Sequence, residues 1–226
     1  MPNTMIKREI VIANNSEEAK IIQISKDNLS MNELGQPIFS DSQLNKFDCR
    51  DWIRLSDTEI KIDAFSREII KVVLTIPSTI NESHFASLLF SEMRGIDGTK
   101  KNFDVRNVLA CLILVQPKLH KSPKIEIGNP GFINGKLICF VNNISDYYVR
   151  IRGLITIFYK EGKSQRITFA SNRRSVFPQV KRKYIISDIN ESDKKSITGI
   201  NIKLEYFLDD KEKYSIQKMF RSEELW

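Results

Sequence analysis

The stretch WIRLSDTEIKIDAFSREIIKVVLTIP, residues 52–77, predicts two β-strands joined by a turn. In its first half, Ile60 and Ile62 alternate with charged residues, which is typical of a strand with one buried face. After the turn AFSRE, apolar side chains recur at every second position from Ile70 to Ile76. Pro77 has no amide hydrogen to donate and is expected to end the second strand.

Trp52 is the large aromatic residue at the start of this stretch, just before Ile53 and Leu55. We interpret these residues as a short strand that places the indole ring in the core. The alternative is an exposed Trp that stacks on a carbohydrate.

Strand patterns dominate the rest of the chain, and turn residues such as Asn14-Asn15-Ser16 and Glu161-Gly162 separate them. The one helical signal is a short turn within residues 40–52. Strands at this spacing without intervening helices indicate an all-β protein built from β-sandwiches. Further predicted strands cover residues 8–15, 19–25, 84–93, 108–115, 136–143, 154–159, 165–170, 183–189 and 200–208.

The segment QPKLHKSPK, residues 116–124, contains two prolines and three lysines and suits an extended linker better than a strand. We therefore predict two immunoglobulin-like β-sandwich domains in tandem, residues 1–118 and 119–226. The halves also echo one another, because VIANNS at 11–16 and FVNNIS at 140–145 are both apolar strands that end in paired asparagines. This echo favours duplication, and chance similarity in a sequence rich in Asn and Ile is the alternative.

The charge balance is basic, with 35 Lys and Arg against 28 Asp and Glu and a net charge of +7. The densest basic pieces are SNRRS at 171–175 and VKRKY at 180–184. We interpret them as charges that protect strand edges from aggregation, with contact to a polyanion as the alternative. Since acidic residues are mixed through the same segments, we predict that nucleic acid is not a partner.

Three cysteines, Cys49, Cys111 and Cys139, show no metal-ligand spacing, and we interpret them as small buried residues, with one disulfide as the alternative. No run approaches the roughly 20 apolar residues of a membrane helix, so we expect no membrane span. The first residues do not form a signal peptide. Either the protein is cytosolic or the sequence begins downstream of a removed leader.

Catalytic and cofactor signals are weak throughout. His84 and His120 have no cysteine or carboxylate at ligand spacing, and no phosphate loop or nucleophile elbow is present. The Gly-rich piece GNPGFING at 128–135 has no helix after it and is interpreted as a loop. We predict no metal, no cofactor and no enzymatic activity.

Framework residues in both halves resemble those of the PapD-like pilus-assembly chaperones and related bacterial immunoglobulin-like surface proteins of the WxL-interacting type. The resemblance implies the tandem immunoglobulin-like fold, a periplasmic or cell-surface location, and a pilin-like or other surface subunit as protein partner. The residues that carry it are Asn14, Gly35, Trp52-Ile53, the turn before Arg67 and Ile76-Pro77 in the first half, and an Asn-terminated strand, the Gly162 hairpin and Phe177-Pro178 in the second.

The sequence departs from these chaperones in the basic residues expected to hold the C-terminal carboxylate of a subunit. REIVIANN, residues 8–15, matches the second strand, so the first strand with its Arg and the leader are expected upstream of Met1. On the last strand of the first domain, ACLILVQP shows no Lys at the matching place, and the nearest basic residue is Arg106. Arg106 is therefore a candidate cleft anchor, with a solvated strand residue as the alternative.

The apolar segment VLACLILV, residues 108–115, lies next to the predicted domain boundary. It is the candidate for strand addition to a subunit that lacks a strand, with Val108, Leu112 and Leu114 as partner-binding residues together with Arg106. The alternative is a strand buried on both faces within its own domain. Rival functions are an adhesive or scaffold module that binds a partner protein or surface polymer, and a cytosolic protein of the same fold. The sequence leaves the oligomeric state open.

Overall fold

Branched and aromatic side chains at alternating positions build an all-β protein of two immunoglobulin-like sandwiches in tandem. The computed structural model describes residues 3–40, 46–93, 108–117, 122–208 and 212–225. Two compact units are formed, one from Met1–Leu29 with Phe39–Pro117 and the other from Ser30–Ile38 with Lys118–Trp226. The division after Pro117 lies one residue from the predicted boundary, whereas Ser30–Ile38 groups with the second unit.

The first unit contains a three-stranded sheet in the order β1-β6-β4 and most of a five-stranded sheet in the order β3-β2-β7-β8, in which β5 pairs with β2. The end of β2 and the start of β3 group with the second unit. The strands with an assigned register pair antiparallel, and an isolated parallel bridge joins Asp48 to Phe85. The strands are β1 (Thr4–Ala13), β2 (Lys20–Met31), β3 (Pro37–Ser40), β4 (Ile53–Leu55), β5 (Glu59–Ile62), β6 (Arg67–Ile76), β7 (His84–Met93) and β8 (Val108–Val115).

The second unit contains the sheet β10-β11-β14, with β9 paired to β11, and the sheet β13-β12-β15-β16. Across the residues that the structure describes, the helical elements are one turn, α1 (Glu191–Lys194), and two 3-10 turns at Arg50–Trp52 and Ser222–Glu224. The strands are β9 (Ile125–Ile127), β10 (Gly131–Ile133), β11 (Lys136–Asn143), β12 (Val149–Tyr159), β13 (Ser164–Val176), β14 (Lys181–Asp188), β15 (Ile197–Phe207) and β16 (Lys213–Arg221).

Inward-facing side chains fill one core per unit. Each fully buried Ile, Leu or Phe contributes about 1.5–3 kcal/mol relative to an exposed position. In the first unit the core comprises Ile24, Cys49, Ile53, Ile70, Val72, Ala86, Leu88, Phe90 and Val115. In the second it is larger and includes Leu137, Val141, Ile151, Ile155, Ile157, Ile200, Ile202, Leu204 and Phe220.

Residues 8–13 lie in β1. Two local predictions need correction. The interpretation of 128–135 as a loop was wrong in part, because Gly131–Ile133 forms β10 and the left-handed pair Asn134-Gly135 turns the chain into β11. Trp52 lies in a 3-10 turn and is half-buried, and its ring packs against the first core and lies 4.4 Å from the ring of His84.

The two echoed asparagines stabilise the same chain bend in each unit. The Oδ1 atom of Asn14 accepts hydrogen bonds from the amide and hydroxyl of Ser16 at 3.1 and 2.7 Å, and Asn143 accepts the same two bonds from Ser145 at 3.1 and 2.6 Å. Each Nδ2 donates at 2.7 Å to the carbonyl oxygen four residues later and also to a carbonyl oxygen of a distant segment. Both side chains are buried, so their amides tie the end of one strand to a second part of the sandwich.

We predict that Asn14→Ala lowers the free energy of unfolding by about 3 kcal/mol, because several bonds are lost and buried carbonyl groups are left without donors. Asn15→Ala is the matched control, since this neighbour is exposed. The control is expected to change stability by less than about 0.5 kcal/mol. Urea unfolding followed by circular dichroism measures both, and equal stability of the two variants would contradict the structural role.

Candidate protein-docking edge

Strand β8 forms one edge of the five-stranded sheet. It pairs with β7 in an antiparallel register that runs from His84 opposite Val115 to Ser91 opposite Val108. In the described part of the chain, β7 is its one assigned strand partner. The opposite side of β8 therefore presents backbone N–H and C=O groups in position to pair with a further strand.

The side chains of β8 are exposed. Leu109 is 71% exposed and Val108, Leu112 and Leu114 are 44–50% exposed, whereas only Val115 at its end is buried. The alternative that this strand is buried on both faces was therefore wrong. The reason lies in its place in the sheet, because an edge strand at the rim of a sandwich has no neighbour to cover it on one side.

Two rows of side chains project from β8 on opposite faces of the sheet. Directly opposite residues of paired strands point to the same face of the sheet. Three residues of β7, Ala86, Leu88 and Phe90, lie in the core of the first unit. Their partners on β8, which are Ile113, Cys111 and Leu109, therefore form the inner row. Exposure rises along this row, from Val115 at 6% to Leu109 at 71%. The inner row thus begins in the core of the first unit and ends outside it.

The outer row consists of Val108, Ala110, Leu112 and Leu114. Its neighbours on β7 include Ser87 and Phe85, both buried. Phe85 is covered by the segment before the 3-10 turn, since the Phe47 ring meets it edge-on at 6.2 Å and the Cys49 amide donates to its carbonyl oxygen at 3.1 Å. The adjacent part of β8 is not covered in the same way.

The composition of β8 sets it apart from the other edges. VLACLILV has neither a charged residue nor a proline. Among the described edge strands longer than three residues, each of the others carries one of these protective features. These features are Lys7 in β1, Pro37 in β3, Lys61 in β5, Arg166 in β13, Lys181 in β14 and Lys213 in β16.

Of the four residues that the sequence singled out, the structure brings Val108, Leu112 and Leu114 together in the outer row. Arg106 lies outside the described residues. Sequence reasoning missed Leu109 and Cys111, which are exposed on the inner row. The chosen residues of β8 have even numbers, whereas these two have odd numbers. Because side chains alternate along a strand, the odd positions form its second face.

Across the described ranges, no group of three or more His, Cys, Asp or Glu residues is placed to hold a metal ion. Within the same ranges, no helix is both long and apolar enough to cross a membrane.

The two sandwiches have the fold of the PapD-like fimbrial chaperones. A chain from a chaperone–tip adhesin complex of CFA/I fimbriae biogenesis matches with a TM-score of 0.51 at 12% identity, covering 95% of this chain and 92% of that chain. Weaker matches are the class 5 fimbriae chaperone CfaA (TM-score 0.49, 12% identity, 94% and 92% covered) and the CsuC–CsuE complex of Acinetobacter baumannii Csu pili (TM-score 0.47, 10% identity, 96% and 98% covered). No protein-family profile and no curated protein sequence matches the chain.

The three cysteines are all free thiols, so the alternative of a disulfide among them was wrong. Cys49 and Cys139 are buried as predicted, and burial raises the pKa of each thiol to about 12. Cys111 differs, since it is exposed on β8.

We predict that a maleimide reagent labels Cys111 in the native protein within minutes and leaves Cys49 and Cys139 unlabelled, because a buried neutral thiol reacts slowly. Mass spectrometry after proteolysis identifies the labelled residue. Unfolding in urea, which exposes all three thiols, is the control. Equal labelling of the three cysteines in the folded protein would contradict the burial assigned here.

His84 supports the buried end of β8, since it lies opposite Val115 and its ring is 7% exposed against Trp52. Burial is the main cause that lowers the pKa of His84 below its usual 6.5, although Glu82 acts in the opposite direction. The native state therefore binds fewer protons at this position than the unfolded state does.

We predict that the stabilisation from neutral His84 is complete above pH 6.5 and is lost as the pH falls through the lowered pKa of the folded protein. His84→Gln removes this titration and should give a shallower decline of stability between neutral and mildly acidic pH. Urea midpoints measured across this range for both proteins test the effect. Parallel pH profiles would show that His84 does not contribute.

Proposed function

We propose that this protein is a non-enzymatic chaperone that caps or delivers a pilus or surface subunit by β-strand addition, in the periplasm or at the cell surface. The observation that carries the proposal is the uncharged, exposed edge strand β8. The shared fold supports it, because one matched structure is a chaperone–tip adhesin complex. No cofactor is needed for such a role.

Backbone pairing supplies the first part of the mechanism. A subunit that lacks one strand leaves an edge of its own sheet unpaired and its core open. Strand β8 can hydrogen-bond to that edge while its other side stays paired with β7. Since β8 is already extended in the free protein, little conformational entropy is lost when the partner binds.

Side chains supply the second part. A strand added to a subunit places alternate residues in the subunit's core. The inner row offers Leu109, Cys111 and Ile113, and the outer row offers Val108, Leu112 and Leu114. Each buried aliphatic side chain adds up to about 1.5–3 kcal/mol, so one row of three can sustain a stable complex.

Two double variants test the two rows of β8, Leu112→Lys with Leu114→Lys for the outer row and Leu109→Lys with Ile113→Lys for the inner row. We predict that one of them weakens binding of a co-expressed pilin-type subunit by at least about 100-fold, because a lysine buried in the subunit's core is strongly unfavourable. The variant that loses binding identifies the row that enters the subunit. Size-exclusion chromatography and titration of the purified proteins measure the effect.

Met5→Lys with Val11→Lys is the matched control, since both residues are exposed and apolar on the charged edge strand β1. This control should bind the subunit normally. Retained binding by both β8 variants would overturn strand addition. An adhesive or scaffold module that binds through its loops would show that result, and its β8 cysteine would stay open to maleimide when the partner is bound.

A further inference from the structure

Cationic side chains cover one face of the second unit. We define the basic face by Arg150, Arg152, Arg166, Lys203 and Lys213, on the outer side of the sheet β13-β12-β15-β16. The alternate residues on the central strands, such as Ile151, Ile155, Ile202 and Leu204, are fully buried in the core. The cations between them therefore point away from the core.

The register places these cations in consecutive rows across the sheet. Arg150 lies opposite Phe207, which lies opposite Lys213, and the next row contains Arg152 opposite Glu205. The third row contains Lys203 opposite Leu154, and the fourth contains Arg166 opposite Thr156. Because two residues of a strand span about 7 Å, the charges extend about 20 Å along the sheet.

Glu205 is the one carboxylate in these four rows. It accepts a hydrogen bond from the Lys213 ammonium at 2.7 Å. This bond, followed by the charges of Lys213, Arg152 and Lys203, lowers the pKa of Glu205. The four rows thus contain five cations and one carboxylate.

Protection of strand edges does not explain this distribution. Arg150 and Arg152 lie on β12 and Lys203 lies on β15, the two central strands of the sheet. A surface that needs only to be soluble carries both signs of charge interspersed. A cleft of about 390 Å³ also opens among these side chains, lined by Arg152, Leu154, Thr168, Lys203 and Lys213 with Gly153 and Glu205.

We propose that the basic face binds the anionic phosphate headgroups of a phospholipid surface. A broad sheet face with cations in four rows fits an array of many phosphates better than it fits a single small anion. Met219, which is 55% exposed in the fourth row beyond Asn201, adds an apolar side chain of the kind that enters the headgroup region. This inference is independent of the role of β8.

Vesicle co-sedimentation of the full chain tests the proposal. We expect binding to vesicles of equimolar phosphatidylglycerol and phosphatidylcholine, no binding to phosphatidylcholine alone, and weaker binding as salt is added. Each cation near an anionic surface is worth about fivefold in affinity, so Arg152→Ala with Lys203→Ala should weaken binding about 25-fold. Glu205→Gln removes the one carboxylate and should strengthen binding about fivefold, a gain that misfolding cannot produce.

Arg67→Ala with Lys71→Ala is the matched control, because it removes the same charge from exposed positions on β6 in the first unit. It should retain full binding, and circular dichroism should confirm that every variant is folded. Equal losses in the two double variants would mean that only total charge matters, and would overturn the assignment to this face. Binding to heparin without binding to vesicles would replace the lipid surface with a soluble polyanion.

Discussion

The edge of β8, which pairs with no second strand among the described residues, is the feature on which the proposed role of this protein depends. Backbone groups along an edge strand gain hydrogen bonds only from water or from another strand, and an apolar strand in that position favours pairing. Here β7, the buried neighbour, holds β8 extended and fixes which side chains project to each face. The energetic liability of an exposed apolar edge is thus confined to eight residues, and a partner that covers them removes it.

The rest of the first unit explains why this edge is well formed. The sheet β3-β2-β7-β8 is closed against the opposite sheet by Ile70 and Val72 of β6, and residues 47–49 hydrogen-bond to the start of β7 at Phe85. Asn14 ties the end of β1 to the segment at residues 62–63 through its side-chain amide. Because Asn143 makes the equivalent bonds in the second unit, the sequence echo has a physical basis in one repeated chain bend, which favours duplication.

Much of the fold could be predicted from the sequence, since alternating Ile and Val residues identify most of the long strands. Strand β16 escaped prediction because Lys213, Lys218 and Arg221 obscure its alternation of Tyr214, Ile216 and Phe220. The pair Asn134-Gly135 is a typical hairpin turn sequence, but it was overlooked because residues 128–135 were interpreted as a Gly-rich loop. The exposure of β8 could not be predicted in this way, because eight consecutive apolar residues are compatible with a strand buried on both faces or with an uncovered edge. Strand order decides between these, and it depends on contacts between residues far apart in the chain.

The distribution of charge links the two surfaces. Charged side chains on β1, β13, β14 and β16 keep those edges from pairing, so the absence of charge on β8 is a departure from a rule that the same molecule otherwise follows. The basic face departs from the rule in the other direction, because Arg150, Arg152 and Lys203 stand on central strands where no edge needs protection. An uncharged edge strand favours pairing with another strand, and an excess of positive charge favours contact with negative charge. The two proposed partners, a β-strand for the first unit and an anionic surface for the second, follow from these departures.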